Sequence, residues 1–224
     1  MRCVVLEEAI SILKMKKDLD TLLEELTEIH SDFKLIPTDT IEIGDWVRWK
    51  CRYGCRAYGK HLNCPPYVPS PEETRKLIKC YERAIVARFD AKPNPGVQPS
   101  HMHHFLWDAI KELYDTMFEL ERFAFLSGYY KAFAMVGLCC AYCDECIPER
   151  RDLSPYRACG VVGQSHTVLD HVPKRFCKHQ HKLRPGMEAC GIDVFKTVRN
   201  AGYELEVLTS PYEKITFFGL LLLE

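Results

Sequence analysis

The chain has 224 residues, of which 47% are hydrophobic and 27% are charged, and this is the composition of an ordinary globular protein. Its formal net charge of -1 gives no overall field that would attract nucleic acid or an anionic membrane, so neither is expected as a partner. The longest apolar run, residues 215–223, is far too short to span a bilayer. Glu7 and Glu8 interrupt the apolar N-terminus before a signal-peptide core could form, so we expect a cytoplasmic protein.

The first elements predicted along the chain are a helix and a short strand. Leucine and isoleucine recur at helical spacing through residues 5–29, which predicts an N-terminal helical extension within residues 1–30, broken near residues 16–18. Residues 33–37 alternate briefly and predict a strand that ends at Pro37. Residues 41–50 then read as an approach segment to the first group of cysteines.

A clear helix start follows at Ser70. Pro71 suits the first helical position and Glu73 can complete a capping box, so we expect a helix to about Glu82 and then a strand over residues 84–89. Further elements are expected at residues 101–126 (helix capped by Ser100 and ended by Gly128), 129–136 (strand), 187–202 (helix closed by Gly202), 203–208 and 215–223 (strands).

Helical segments that alternate with strands, without an internal repeat, predict the α+β class (α/β layers). We expect a mixed sheet flanked by helices, with two cysteine-rich metal-binding loops, in a single metal-binding domain that spans residues 1–224.

Cysteine is unusually frequent in this chain. In the absence of a predicted secretory signal, thiols in tight clusters favour metal binding over a disulfide framework. The twelve cysteines are Cys3, Cys51, Cys55, Cys64, Cys80, Cys139, Cys140, Cys143, Cys146, Cys159, Cys177 and Cys190.

The first group consists of Cys51, Cys55 and Cys64, followed by Pro65 and Pro66. Glycines between the cysteines allow sharp turns, and the prolines stop any helix, so the segment reads as a folded loop with three thiolates that bind a metal. Three thiolates leave the fourth ligand of a tetrahedral metal, or of one iron in a cluster, unassigned. The candidates for it are another cysteine (Cys80 or Cys3), a histidine (His61, His101, His103 or His104), or water or substrate, and an open position of this last kind marks a catalytic site.

The second group contains Cys-x2-Cys-x2-Cys at Cys140, Cys143 and Cys146. This is the ferredoxin spacing, in which three thiolates bind one [4Fe–4S] cluster and a remote cysteine supplies the fourth ligand, whereas zinc sites usually show two separated pairs. We expect a ferredoxin-like cluster-binding insertion over residues 138–186. The remote ligand is expected among Cys159, Cys177 and Cys190. Cys139 would point away from the same cluster and is left out.

Several motifs together resemble one family. They are Cys-Arg-Tyr-Gly-Cys-x2-Tyr-Gly-x4-Cys-Pro-Pro, Pro-Ser-Pro-Glu-Glu, the second cysteine group, Cys177-Lys-His, Met-Glu-Ala-Cys-Gly-Ile-Asp-Val-Phe and a C-terminal Phe-Gly-Leu-Leu-Leu. From about residue 30 onward the chain resembles the family of unknown function described as predicted metal-binding proteins, found mainly in anaerobic bacteria and archaea. The resemblance implies metal binding through these cysteines, of the iron–sulfur kind, and no established reaction. It favours Cys177 as the fourth ligand. Gln180 departs from the family's proline, and a long segment before Cys177 keeps Cys159 as an alternative.

Cations surround the first group, and no acidic residue lies between positions 46 and 71. They are either solvated, or stabilise an anionic cluster, or bind a phosphate-bearing substrate. The leading hypothesis is an iron–sulfur protein with two [4Fe–4S] clusters that acts in electron transfer with a redox partner protein, or in reductive or Lewis-acid chemistry at a three-cysteine cluster. The alternative is a zinc-stabilised scaffold protein without redox activity.

Overall fold

The computed structural model describes residues 16–92, 106–149, 177–210 and 213–224. Five α-helices lie in these ranges: α1 (Leu19–Thr27), α2 (Asp45–Gly54), α3 (Pro71–Ile78), α4 (Trp107–Leu126) and α5 (Val194–Asn200). Four strands accompany them: β1 (Phe33–Pro37), β2 (Arg83–Ala91), β3 (Phe133–Val136) and β4 (Ile215–Leu223). The predicted α+β class is confirmed.

The four strands form one sheet in the order β1-β2-β4-β3, and each neighbouring pair is antiparallel. The mixed sheet expected from sequence is therefore antiparallel among the described strands. Arg83 pairs with Leu223 at one end of β4, and Val136 pairs with Gly219 farther along the same strand. A further segment lies along the free edge of β3, where the Val136 amide donates to the Pro185 carbonyl at 3.1 Å.

Strand β4 is buried on both faces, as its continuous apolar sequence predicts. On one face Phe217 and Leu221 pack with the buried residues of α1 and α4. On the other face Phe218 and Leu220 pack with the residues around Met187, Ile192 and Val198. The two layers of core fix the sheet as a rigid platform for the loops at its ends.

Local capping chemistry was predicted correctly at α3. Ser70 Oγ accepts a hydrogen bond from the Glu73 amide at 3.2 Å, and the Glu73 carboxylate accepts from the Ser70 amide at 2.7 Å. The helix ends at Ile78 rather than near Glu82. Gly128 ends α4 at φ +95° as expected, whereas the predicted beginning of that helix lies outside the described residues.

Three expectations were wrong in detail. Cys51 lies in the last turn of α2 rather than in a loop. The helix expected from residue 187 is divided by Gly191, which has φ +90°, into a 3₁₀ turn at Glu188–Cys190 and helix α5, although Gly202 does close it. Residues 203–208 form no strand. In this segment the Leu205 carbonyl accepts from Arg199 at 2.7 Å instead of joining the sheet.

Residues 129–132 form a turn, so β3 is shorter than predicted. In the part of the chain that the structure describes, no helix combines the length and apolar character needed to cross a membrane.

Candidate metal centre

The first cysteine group begins on α2 and continues through a series of tight turns. The Cys55 amide caps the helix by donating to the Cys51 carbonyl at 3.3 Å. The Gly59 amide, at φ +73°, then donates to the Pro65 carbonyl at 2.8 Å, and the Cys64 amide donates to the His61 carbonyl at 3.0 Å. The loop thus folds back on itself after Cys55, and Cys64 is only 8% exposed.

Arg48 fixes the helix that carries Cys51. Its guanidinium donates to the Pro69 carbonyl at 2.8 Å and also to the Ala189 carbonyl. The Cys51 sulfur lies 3.9 Å from the Glu188 carbonyl oxygen. These contacts attach the first group to the 3₁₀ turn at Glu188–Cys190, which is far away in sequence.

The second group directly follows β3, and the Cys177 segment returns to it. The Val136 carbonyl accepts from the Met187 amide at 2.8 Å, which places the segment that follows Cys177 beside β3. Arg184 forms two hydrogen bonds of 2.5 Å each with the Glu121 carboxylate, and both side chains are about 15% exposed. This pairing holds the segment against α4.

Asn63 connects the two groups. Its buried side-chain amide donates to the Leu138 carbonyl at 3.0 Å and to the Tyr114 hydroxyl, and its side-chain oxygen accepts from the Cys140 amide at 3.0 Å. The Cys64 thiol lies 3.6 Å from the same oxygen. Asn63 directly precedes Cys64, so its side chain ties the first group to the backbone around Cys140.

The thiols of the second group influence one another electrostatically. Burial raises the pKa of Cys140 to about 12, with smaller contributions from the charges of Cys146, Cys177 and Cys143. Burial also raises the pKa of Cys146 to about 11, and Cys177 and Cys143 again contribute. The charges of all four predicted residues of this group, Cys177 included, thus act on one another.

The first group shows the same kind of coupling, with one residue that sequence reasoning missed. Burial, with smaller contributions from the charges of Cys55 and Glu188, raises the pKa of Cys51 to about 11 against the opposing effect of Arg48. Burial raises the pKa of Cys64 well above its ordinary value, and among the charges that add to this effect Cys139 comes first.

Cys139 therefore lies on the side of the first group. Its pKa is raised to about 12, mainly by burial and next by the charge of Cys55. From the sequence alone we leave it out of the second group and assign it to no other site. The signal in the sequence is the adjacency of Cys139 and Cys140, which gives this segment one thiol more than the ferredoxin spacing needs.

The donor set fits iron–sulfur ligation chemically. Cysteine thiolates are the usual ligands of such clusters, and hydrogen bonds to their sulfur atoms stabilise the deprotonated form. Hydrogen bonds from backbone groups of Leu62 and Ile147 lower the pKa of Cys146, and one from Tyr142 does the same for Cys140. Within the described ranges no three cysteine, histidine or acidic side chains converge as for one metal ion. A [4Fe–4S] cluster attaches each thiolate to a separate iron, so it does not require that convergence.

Other candidate ligands lie elsewhere. Cys80 is exposed and hydrogen-bonded to the Lys76 carbonyl at 3.5 Å, just before the end of β2 that pairs with Leu223. Cys139 follows the end of β3 that pairs with Gly219. Leu223 and Gly219 are about 14 Å apart along β4 at roughly 3.4 Å per residue, so Cys80 and Cys139 follow or precede different parts of the sheet. His61 is buried within the first loop. The candidates outside the described residues are Cys3, Cys159, His101, His103 and His104.

Aromatic and charged side chains form a cluster next to the second group in sequence. Tyr142 stacks on His179 with ring centroids 4.9 Å apart, and its hydroxyl donates to the Asp115 carboxylate at 2.6 Å. Lys182 binds the same carboxylate at 2.6 Å. These contacts link the Cys143 segment and the segment that follows Cys177 to helix α4.

The chain was compared with protein families, curated proteins and solved structures. No curated protein and no solved structure matches it. One family model, described as "Predicted metal-binding protein (DUF2284)", matches residues 34–223, which include both cysteine groups and all four strands except the first residue of β1. The chain therefore belongs to this family of predicted metal-binding proteins.

Proposed function

We propose that this metal-binding protein is an iron–sulfur protein with two [4Fe–4S] clusters that acts in electron transfer. The observation that carries the proposal is that the charge of Cys177 acts on all three thiols of the Cys-x2-Cys-x2-Cys segment. The proposed ligands are Cys51, Cys55 and Cys64 at the first site and Cys140, Cys143, Cys146 and Cys177 at the second.

The arrangement at the second site favours iron–sulfur over zinc. Three cysteines at even spacing with one remote cysteine are the ferredoxin arrangement, whereas zinc sites pair their ligands. Backbone hydrogen bonds to the sulfur atoms of Cys140 and Cys146 also match the way proteins tune cluster potentials. At the first site the assignment of an iron–sulfur cluster depends on the presence of the second site, because the spacing of Cys51, Cys55 and Cys64 is not specific for one metal.

A [4Fe–4S] cluster held by these cysteines would supply one-electron transfer. The residues of the chain determine the setting. At the second site the charge of Lys178 lowers the pKa of Cys143 and so favours its thiolate, against the larger effect of burial. Arg48 does the same beside Cys51. The reducing conditions of the cytoplasm, our expected location, would keep the remaining thiols free.

A redox partner protein would dock beside the first site. Trp49 and Tyr53 on α2 are 64% and 73% exposed, and their rings lie 5.8 Å apart next to the turn that carries Cys51. Lys50 and Arg52 lie on the same helix, so the surface combines aromatic rings with positive charge. An acidic ferredoxin or flavodoxin has the complementary charge, and reduction by either should slow with added salt and in Lys50→Glu.

The proposal is tested by purifying the wild type and two variants without oxygen. Cys51→Ser and Cys143→Ser should each keep about half of the wild-type iron and each lose a different EPR signal after reduction. Cys80→Ser is the matched control and should keep the wild-type iron content and both EPR signals. The proposal is refuted if the wild type carries zinc and no sulfide, or if Cys51→Ser and Cys143→Ser lose the same EPR signal.

A further inference from the structure

The first site has three thiols from one stretch of chain, although a cubane cluster binds four protein ligands when it is fully coordinated. Two additional cysteines lie near enough to interact with it electrostatically. The charge of Cys139 acts on Cys64, and the charge of Cys51 acts on Cys190. The backbone around these two cysteines distinguishes them.

The backbone before Cys139 is held in an unusual conformation. Leu138 has φ +65° and is the one non-glycine residue with positive φ among those that the structure describes. Such a conformation is costly for leucine and persists only where its surroundings enforce it. The Leu138 carbonyl accepts hydrogen bonds from Asn63 at 3.0 Å and from the Tyr114 hydroxyl at 3.3 Å, so it is firmly held.

The Asn63 side chain places the peptide between Cys139 and Cys140 beside the Cys64 thiol. Its side-chain oxygen accepts from the Cys140 amide at 3.0 Å and lies 3.6 Å from the Cys64 sulfur. The Cys139–Cys140 segment and Cys64 are therefore close neighbours. The charges of Cys143, Cys146 and Cys177 act on Cys140, whereas the charge of Cys139 acts on Cys64.

The charges near Cys139 agree with this position. Those that act on it most strongly belong to Cys55, Glu149 and Glu188, and two of the three border the first group. Glu188 also acts on Cys51 and Cys64, so Cys139 shares its electrostatic surroundings with the first group.

Cys190 has a different environment. It is fully buried, and its sulfur is hydrogen-bonded to the Thr74 side chain, beneath the Arg48 guanidinium. It packs in the core with Met187 and Ile192. Its position is that of a small apolar residue in a core, as expected for an inert thiol.

We propose that Cys139 is the fourth protein ligand of the first site, so that the consecutive residues Cys139 and Cys140 bind different metal centres. This inference rests on the proposed function above. It closes the position that the sequence left open to water or substrate, and it assigns the first site to electron transfer rather than to Lewis-acid chemistry. The two sites would then be joined by one peptide bond and by the Asn63 side chain.

The test compares iron content and EPR spectra of variants purified without oxygen. Cys139→Ser should lose the signal that Cys51→Ser loses, keep the signal that Cys143→Ser loses, and retain about half of the wild-type iron. Cys190→Ser, the matched control with a buried thiol nearby, should keep both signals. The inference is overturned if Cys139→Ser keeps both signals or loses the second-site signal, or if Cys190→Ser loses the first.

A measurement on the unaltered protein guards against a variant that does not fold. Cyanide added to the reduced wild type should leave both EPR signals unchanged, because each iron already has a cysteine. A first-site signal that shifts with cyanide shows an open iron and overturns the inference while leaving the proposed function intact. A wild type without iron and sulfide refutes the proposed function itself, so the two failures are distinguishable.

Discussion

Replacing Asn63 by alanine should damage both cysteine sites at once, because its buried side chain binds the backbone around Cys140 and contacts the Cys64 thiol. The variant removes the acceptor that the Asn63 side chain offers to the buried Cys140 amide, whereas the Leu138 carbonyl keeps its bond from the Tyr114 hydroxyl at 3.3 Å. Removing one partner of a buried hydrogen bond costs about 1–3 kcal/mol, and the lost contacts of a side chain that is 1% exposed add to it. We expect a loss of about 3 kcal/mol in the free energy of unfolding.

For a chain of this length, that loss lowers the melting temperature by about 6–12 °C. The assay is thermal unfolding followed by circular dichroism, together with iron analysis of the same samples. Asn200→Ala is the matched control, since its exposed amide also donates to a backbone carbonyl, that of Thr40 at 2.8 Å. The control should melt within about 3 °C of the wild type and keep its iron. An Asn63→Ala protein that behaves like the control would refute the role of this side chain.

Three further predictions concern the surroundings of the sites. Arg184→Gln should cost about 3 kcal/mol in urea unfolding and reduce metal at the second site, because it removes the cation from the little-exposed Glu121 carboxylate and leaves it the Ala134 amide as a neutral donor, whereas the exposed Lys196→Gln should cost under about 1 kcal/mol. Gly191→Ala should lower the melting temperature, since the residue has φ +90° and the new Cβ would lie 2.7 Å from a proline carbon, while Gly54→Ala meets nothing within 4 Å and should be neutral within about 0.5 kcal/mol. In the metal-loaded protein, iodoacetamide should label the exposed Cys80 well before any proposed ligand, and mass spectrometry after chelation should show that Cys55, which is also exposed, is labelled about as fast as Cys80.

Features governed by local chemistry were predictable from the sequence. The capping box of α3 needs only Ser70 and Glu73 at the right spacing, and β4 needs only an unbroken apolar run. Helix α2 was missed because Gly44 offers no side-chain cap, and the helix is instead held by contacts of Arg48 with distant carbonyls. Such long-range contacts leave no periodic signal in the sequence.

The grouping of the cysteines shows the same division. The spacing of Cys140, Cys143 and Cys146 predicts one site, because these ligands are close together in the sequence. The place of Cys139 depends on the conformation of Leu138 and on Asn63, which lies more than seventy residues earlier in the chain. The spacing of the cysteines alone therefore could not indicate which of the two sites Cys139 lies beside.

The most direct test of the account is the number of iron, sulfide and zinc atoms bound per chain in protein purified without oxygen. Two [4Fe–4S] clusters predict about eight iron and about eight acid-labile sulfide, with no stoichiometric zinc. About two zinc atoms per chain and no sulfide would contradict the account and would favour a zinc-stabilised scaffold instead.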